Sequence, residues 1–268
     1  MHPAIALLIL IAAFWESWRW LVQRTWSTPD EAITLAAMFV VVAGSAVRAS
    51  LRRGKSEKTL RPLPLLPLAA ALVLYALAVG RVPPILSAAI AVTAVLAAIH
   101  VAGHGRCPPV AFWGLCCLVL PVVPTLQFYL GYPMRVVSAM LTVPLLQLNG
   151  LDVTLDGTAL IWQGRHIQFD APCSGVTMAW AGMLQVFAVA TVRAYDARAL
   201  LRTAFLGLRL LLAANVLRAA SLFYLETGLL PWNGEMMHQA IGLAAFGAVT
   251  IILLWRMDAM RPNVEATR

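Results

Sequence analysis

Long apolar runs separated by short polar breaks dominate the chain. Read for stretches near about 20 residues, the length that crosses a bilayer's hydrocarbon core, the pattern predicts helices over 4–21, 32–47, 63–79, 85–103, 110–130, 175–192, 203–225 and 238–255. Glu16 and Arg19 interrupt the first run. Its outer half is therefore expected to bend into the membrane interface, where Trp15, Trp18, Trp20 and Trp26 would form an aromatic belt. The segment 131–174, between the fifth and sixth runs, reads differently. Residues 134–148 are apolar with few charges and are expected to lie as an interfacial helix. The chain then alternates from Leu151 to Leu155, Asp156-Gly157 marks a hairpin turn, and 159–163 and 166–170 read as further short strands.

Composition sharpens this picture. With 61% hydrophobic and 12% charged residues, against roughly 25% charged in an ordinary soluble domain, a water-soluble globule is excluded. No polar stretch is long enough for a separate soluble enzyme, so any chemistry must sit on spans or short loops. The net charge of +8 does not point to nucleic acid, because the Lys and Arg residues are divided by side. Thirteen of them collect on the side of the N-terminus, the run 48–61 foremost. Five lie on the other side, namely Arg19, Arg24, Arg81, Arg135 and Arg165, while Arg209 and Arg218 fall inside the seventh run. The bias predicts both termini in the cytoplasm and 131–174 outside it. The start of the chain lacks a basic n-region and a small-residue cleavage site, so it reads as a first span rather than a cleaved signal.

The expected fold class is thus an all-α polytopic membrane protein of about eight transmembrane helices, with a small extracytoplasmic β-ribbon before the sixth span. Two parts are expected: 1–109, a four-span bundle with a basic cytoplasmic loop, and 110–268, a four-span core containing the loop 131–174.

The richest chemistry lies at Asp170-Ala-Pro-Cys173-Ser-Gly175, where the ribbon ends and the sixth span opens. Pro172 and Ser174 are helix-start residues. Cys173 is therefore expected near a helix N-terminus, where unpaired N–H groups and the helix dipole favour a thiolate and an oxyanion. A small buried thiol at a helix start would fit the same residues. Arg218 falls inside an apolar span, where a charge is costly and should face the interior with a partner, with Asn215 three residues earlier on the same face. An ion pair with Glu226, Asp170 or Glu235 would satisfy it structurally. His238 opens the eighth span on the same side of the membrane, where an interfacial histidine is the plainer reading. Threading the helices brings all three to the outer face.

The order Pro-Cys173-Ser-Gly175, Asn215-x-x-Arg218 and His238-x-x-x-Gly242, each at the outer end of a span, resembles the exosortase/archaeosortase family of membrane cysteine transpeptidases. The resemblance covers about 110–255. It implies an integral-membrane cysteine protease or transpeptidase that cleaves a C-terminal sorting signal of exported proteins and passes the acyl group to a cell-surface acceptor. Carried over by matching position, Cys173 would be the nucleophile, Arg218 the arginine of the site and His238 its third catalytic member, with Asn215, Ser174 and Gly175 binding substrate. The implied partners are the lipid bilayer and an exported protein ending in a short motif, such as Pro-Glu-Pro, a membrane helix and a basic cluster. No metal or organic cofactor and no nucleic acid are implied. Val176-Thr177-Met178 replaces a nearby basic residue common in bacterial members, and Pro172 replaces a small or acidic one, which bears on the subfamily and its motif.

Other residues carry competing readings. His100 and His104 stand four apart on one helix face, a metal pair without a nearby third ligand. His166 could replace His238 as the base, or be an exposed ribbon residue. Cys107, Cys116 and Cys117 read as packing residues. Ser174 would be the nucleophile of a rhomboid-like protease, but Pro172 breaks the Gly-x-Ser-Gly pattern. A non-enzymatic alternative is a transporter or assembly subunit for surface polysaccharide or lipid-linked material, with Arg218 and Asn215 lining its path.

Overall fold

The structure is a computed structural model; it describes residues 2–26, 39, 42–44, 47, 62–104, 107–168, 174–230 and 235–259. These residues form two compact units, one within 1–122 and 187–200, the other within 123–186 and 201–268.

In the first unit, helices α1 (Pro3–Ala13) and α2 (Trp15–Trp26) meet at a 66° bend. The expected interruption of the first run is therefore a real break. Its pivot is Phe14, wholly buried and edge-on to Tyr75 with ring centroids 4.6 Å apart. Ser17 follows, its hydroxyl donating to Tyr75 Oη at 3.1 Å. Beyond the bend Trp15 and Trp26 are exposed by 64% and 86%, as an interfacial belt requires. Helix α3 (Leu65–Ala78) has 14 residues, about 21 Å of helix, which is shorter than the roughly 30 Å hydrocarbon core. It packs with α1 and α4 (Pro84–His104) through Leu10, Tyr75, Ala91 and Val95. Helix α5 (Val110–Leu118) ends this part of the chain.

The second unit opens with α6 (Val123–Leu148), 26 residues with Pro133 and Pro144 inside it. Two expectations are corrected here. The fifth run does not continue from 110 to 130 as one helix, because α5 stops at Leu118. Nor is 134–148 a separate interfacial helix, since it is the second half of α6, so the loop before the sixth span begins at Asn149 rather than Gly131. The prolines explain both. Pro121 disfavours helical backbone at the residue before it and Pro124 suits a first helical turn, so the pair makes a stop and a restart. Pro133 and Pro144 each remove one internal bond, which an apolar, well-packed helix tolerates.

Helix α6 closes with Gly150 at φ +80° and Leu151 N–H returning to Leu146 O at 3.3 Å. Three antiparallel strands follow in order: β1 (Val153–Asp156), β2 (Ala159–Trp162) and β3 (Arg165–Gln168). The ribbon is as expected, with four residues in each strand where five were read, and the end of the third expected strand, 169–170, lies outside the described residues. Its first turn has Gly157 and Thr158 as central residues, with φ +59° at Gly157; its second has Gln163 and Gly164, both left-handed. Val153, Leu160 and Trp162 pack on Leu146 of α6 and on Ala219, Ala220 and Phe223 of the helix described next.

Helices α7 (Val176–Arg193), α8 (Ala197–Glu226) and α9 (Glu235–Ala259) match the last three expected spans. Their outward faces stay apolar, Leu217 and Leu243 being exposed by 58% and 73%, as helices surrounded by lipid require. Among the described residues α4, α7, α8 and α9 are long and apolar enough to cross a membrane, and the two broken pairs raise the number to six. The protein is a multi-pass membrane protein; of the expected eight spans the described residues account for up to six, since α3 is too short by this measure and the second, 32–47, lies almost entirely outside the described residues.

Candidate active site

The start of α7 is held in place by its own side chains. Ser174 is completely buried; its hydroxyl donates to Gln127 Oε1 of α6 at 3.1 Å and accepts the Val176 N–H at 3.3 Å. That second contact occupies one of the donors a helix N-terminus leaves unpaired. Gly175 follows at φ +77°, a conformation that disfavours any side chain. Space forbids one too, since a Cβ there would sit 2.6 Å from Cγ of Asn215. Asn215 on α8 is 2% exposed and donates through Nδ2 to Ser138 Oγ of α6 at 2.9 Å. Three segments are thus fastened together by Gln127–Ser174 and Ser138–Asn215.

One turn along α8, half-buried Arg218 reaches across to α9, its Nη2 3.1 Å from Nε2 of half-buried His238. A guanidinium only donates, so Nε2 accepts and the ring proton in this arrangement lies on Nδ1. Gly242, one turn beyond His238, makes room for the crossing: a Cβ there would come 3.2 Å from Arg218 Nε. The spacing His238-x-x-x-Gly242 thus has a steric reason. Beside Gly175 and Asn215 lies a largely apolar cavity of about 270 Å³, bounded also by Pro133, Val137, Ala179 and Leu208. It has room for an apolar side chain.

Of the expected site residues, the structure joins Arg218 with His238 and Asn215 with Gly175, and seats Ser174 against α6. Asp170, Pro172 and Cys173 lie outside the described residues. His166 is exposed on β3. His100 and His104 stack with ring centroids 4.2 Å apart, and among the described residues no group of three His, Cys, Asp or Glu could hold a metal. Cys116 is buried, whereas Cys107 and Cys117 are exposed. Gln127 and Ser138 were missed by sequence reading. Their signal was the series Gln127, Gly131, Arg135, Ser138 and Thr142, which shares a helix face only if the helix continues through Pro133.

No curated protein sequence and no solved structure matches the chain. A family model described as Transmembrane exosortase (Exosortase_EpsH) matches residues 2–255, nearly the whole sequence, and on that match the chain belongs to the transmembrane exosortase family.

Proposed function

We propose that this chain is an integral-membrane cysteine transpeptidase. It cleaves the C-terminal sorting signal of exported proteins, a short motif followed by a membrane helix and a basic cluster, and transfers the acyl group to a cell-surface acceptor. Cys173 is its nucleophile, Arg218 and the backbone N–H groups at the start of α7 receive the oxyanion, and His238 carries the proton. The catalytic part lies within 110–268 and 1–109 forms an accompanying bundle. Both termini are cytoplasmic and the site is on the outer face of the inner membrane.

The observation that carries this reading is the 3.1 Å contact between Arg218 and His238, from two helices and 20 residues apart in sequence. It is joined by the closure of Asn215 on Gly175, two residues after Cys173. In the reaction Cys173 passes its thiol proton to His238 Nε2 as Arg218 turns from the ring to the carbonyl oxygen, the thiolate adds to the scissile carbonyl, and the negative oxygen is met by guanidinium and amide donors, each worth about 3–4 kcal/mol in comparable sites. The C–N bond then breaks as His238, protonated at that stage, gives its proton to the leaving amine. The acceptor nucleophile yields its proton to His238 as it adds to the thioester, and collapse of the second tetrahedral intermediate returns the thiolate.

The test is to express the chain with an exported reporter that carries such a signal and to follow processing on gels. Cys173→Ala and His238→Ala should abolish cleavage, and the wild type should yield a thioester-linked adduct on Cys173. Continued processing by Cys173→Ala would overturn the proposal in favour of transport or assembly.

A further inference from the structure

A cavity of about 530 Å³ lies between α2 and the turn that joins α3 to α4, a size within the roughly 300–1,000 Å³ of small-molecule sites. Its wall on α2 is Glu16, Arg19, Trp20 and Gln23, spaced i, i+3, i+4 and i+7 and therefore on one face of that helix. Ser87, in the first turn of α4, lines it from the other side. None of these residues has a part in the reaction described above.

Two polar side chains of α2 are satisfied within the protein: the Ser17 hydroxyl donates to Tyr75 Oη, and Trp18 Nε1 donates to Ile11 O at 3.0 Å. The cavity wall is different. Among the described residues the Trp20 indole N–H, the Gln23 amide and the Ser87 hydroxyl have no hydrogen-bond partner. Ser87 matters most, because it is only 5% exposed and bulk water scarcely reaches it. Other helical hydroxyls of the chain return to the carbonyl one turn back, as Ser221 does to Leu217 at 2.9 Å and Thr191 to Phe187 at 2.7 Å. That of Ser87 stays unbonded beside the cavity it lines.

Charge narrows the ligand. Glu16 and Arg19 meet at 2.8 Å with their side chains 55% and 58% exposed, so the wall carries both signs and no net charge. A free anion would meet the carboxylate and a free cation the guanidinium. Hydroxyl groups, which both donate and accept, suit every member: the carboxylate accepts, the guanidinium and indole donate, and the amide and serine do both. Half-buried Trp20 adds a flat apolar face against which the C–H groups of a ring can lie.

We propose that this cavity binds a neutral sugar unit, with Trp20 as its platform and Glu16, Arg19, Gln23 and Ser87 holding its hydroxyls. The site goes beyond the transpeptidase reading and does not rest on it.

The experiment needs no activity. Full chain in phosphatidylcholine nanodiscs is mixed with methyl β-glucoside, methyl β-galactoside or N-acetylglucosamine, and saturation-transfer difference NMR is read from the ring protons of the sugar. At least one of the three should take up saturation, with glycerol inert. Trp20→Ala should abolish the signal and Trp20→Phe restore most of it. Glu16→Gln should weaken binding by roughly tenfold, the scale of one hydrogen bond to a charged group, and Ser87→Ala by several-fold, each with unfolding in SDS unchanged. Competition by a glycosyl diacylglycerol of the same sugar placed in the nanodisc marks a glycolipid, and competition by a soluble oligosaccharide but not by that lipid marks a free glycan; either supports the site. No signal from any of the three sugars, or equal signals in wild type, Trp20→Ala and Glu16→Gln, overturns the proposal. Saturation transfer to glycerophosphoethanolamine alone overturns it in favour of a zwitterionic lipid headgroup.

Discussion

Gly175→Ala is the sharpest probe of how the site is assembled, because two separable penalties act at one atom. The first belongs to the backbone: φ is +77°, and a left-handed conformation costs a non-glycine residue about 1–2 kcal/mol. The second belongs to the neighbour. The new Cβ would lie 2.6, 2.7 and 2.9 Å from Cγ, Nδ2 and Oδ1 of Asn215, all nearer than contact allows. Asn215 must move, and its 2.9 Å bond to Ser138 is lost or stretched, which costs about 1 kcal/mol net. The single substitution should therefore destabilise by about 2–3 kcal/mol. Asn215→Ala removes all three crowding atoms, so in that background Gly175→Ala should cost only the backbone part. The assay is unfolding of the full chain by SDS in mixed micelles, applied to the wild type, both single variants and the double variant. A coupling near 1 kcal/mol is expected, above the roughly 0.5 kcal/mol within which distant substitutions add. Additive costs would refute the claim that α8 closes against Gly175.

Three further outcomes follow from other contacts. Gly242→Ala places a Cβ 3.2 Å from Arg218 Nε, so reporter processing should fall several-fold while stability stays level or rises by about 0.5–1 kcal/mol, since alanine is the better helix former. Arg218→Lys keeps the charge but shortens the reach and loses the fork that meets His238 at 3.1 Å; processing should drop by roughly a hundredfold, the scale of losing one oxyanion donor, with expression in the membrane unchanged. Gln163→Gly relieves a left-handed residue at φ +50° in the second hairpin turn; by the same SDS titration it should stabilise the chain by up to about 1 kcal/mol.

Much of this site could be read before any coordinates, for local reasons. Arg218 announced itself by being charged within an apolar run, and its partner had to come from another segment. Asn215 shares its face through the helix period alone. The ribbon could be read from alternation and its turn glycines, because a two-residue loop needs left-handed backbone wherever the strands reverse. Arg135 went the other way. With the fifth run ended at 130 and 134–148 read as a separate interfacial helix, the residue was cut off from Gln127, and the face they share dissolved. A proline has the same local propensity at 121 as at 133, and what differs is the packing that compensates the missing bond.

By itself, then, the sequence determined a membrane chain, the approximate extent of α4 and α7–α9, the ribbon, and the residues at which chemistry was to be sought. These depend on apolar run length, alternation and isolated charge, which are properties of neighbours along the chain. Only the tertiary structure decided that α6 runs unbroken to Leu148, that Gly175 and Gly242 are small because Asn215 and Arg218 pass over them, and that Arg218 ends on His238. Contacts between helices depend on how side chains of distant segments share volume, and no periodicity within one segment encodes that.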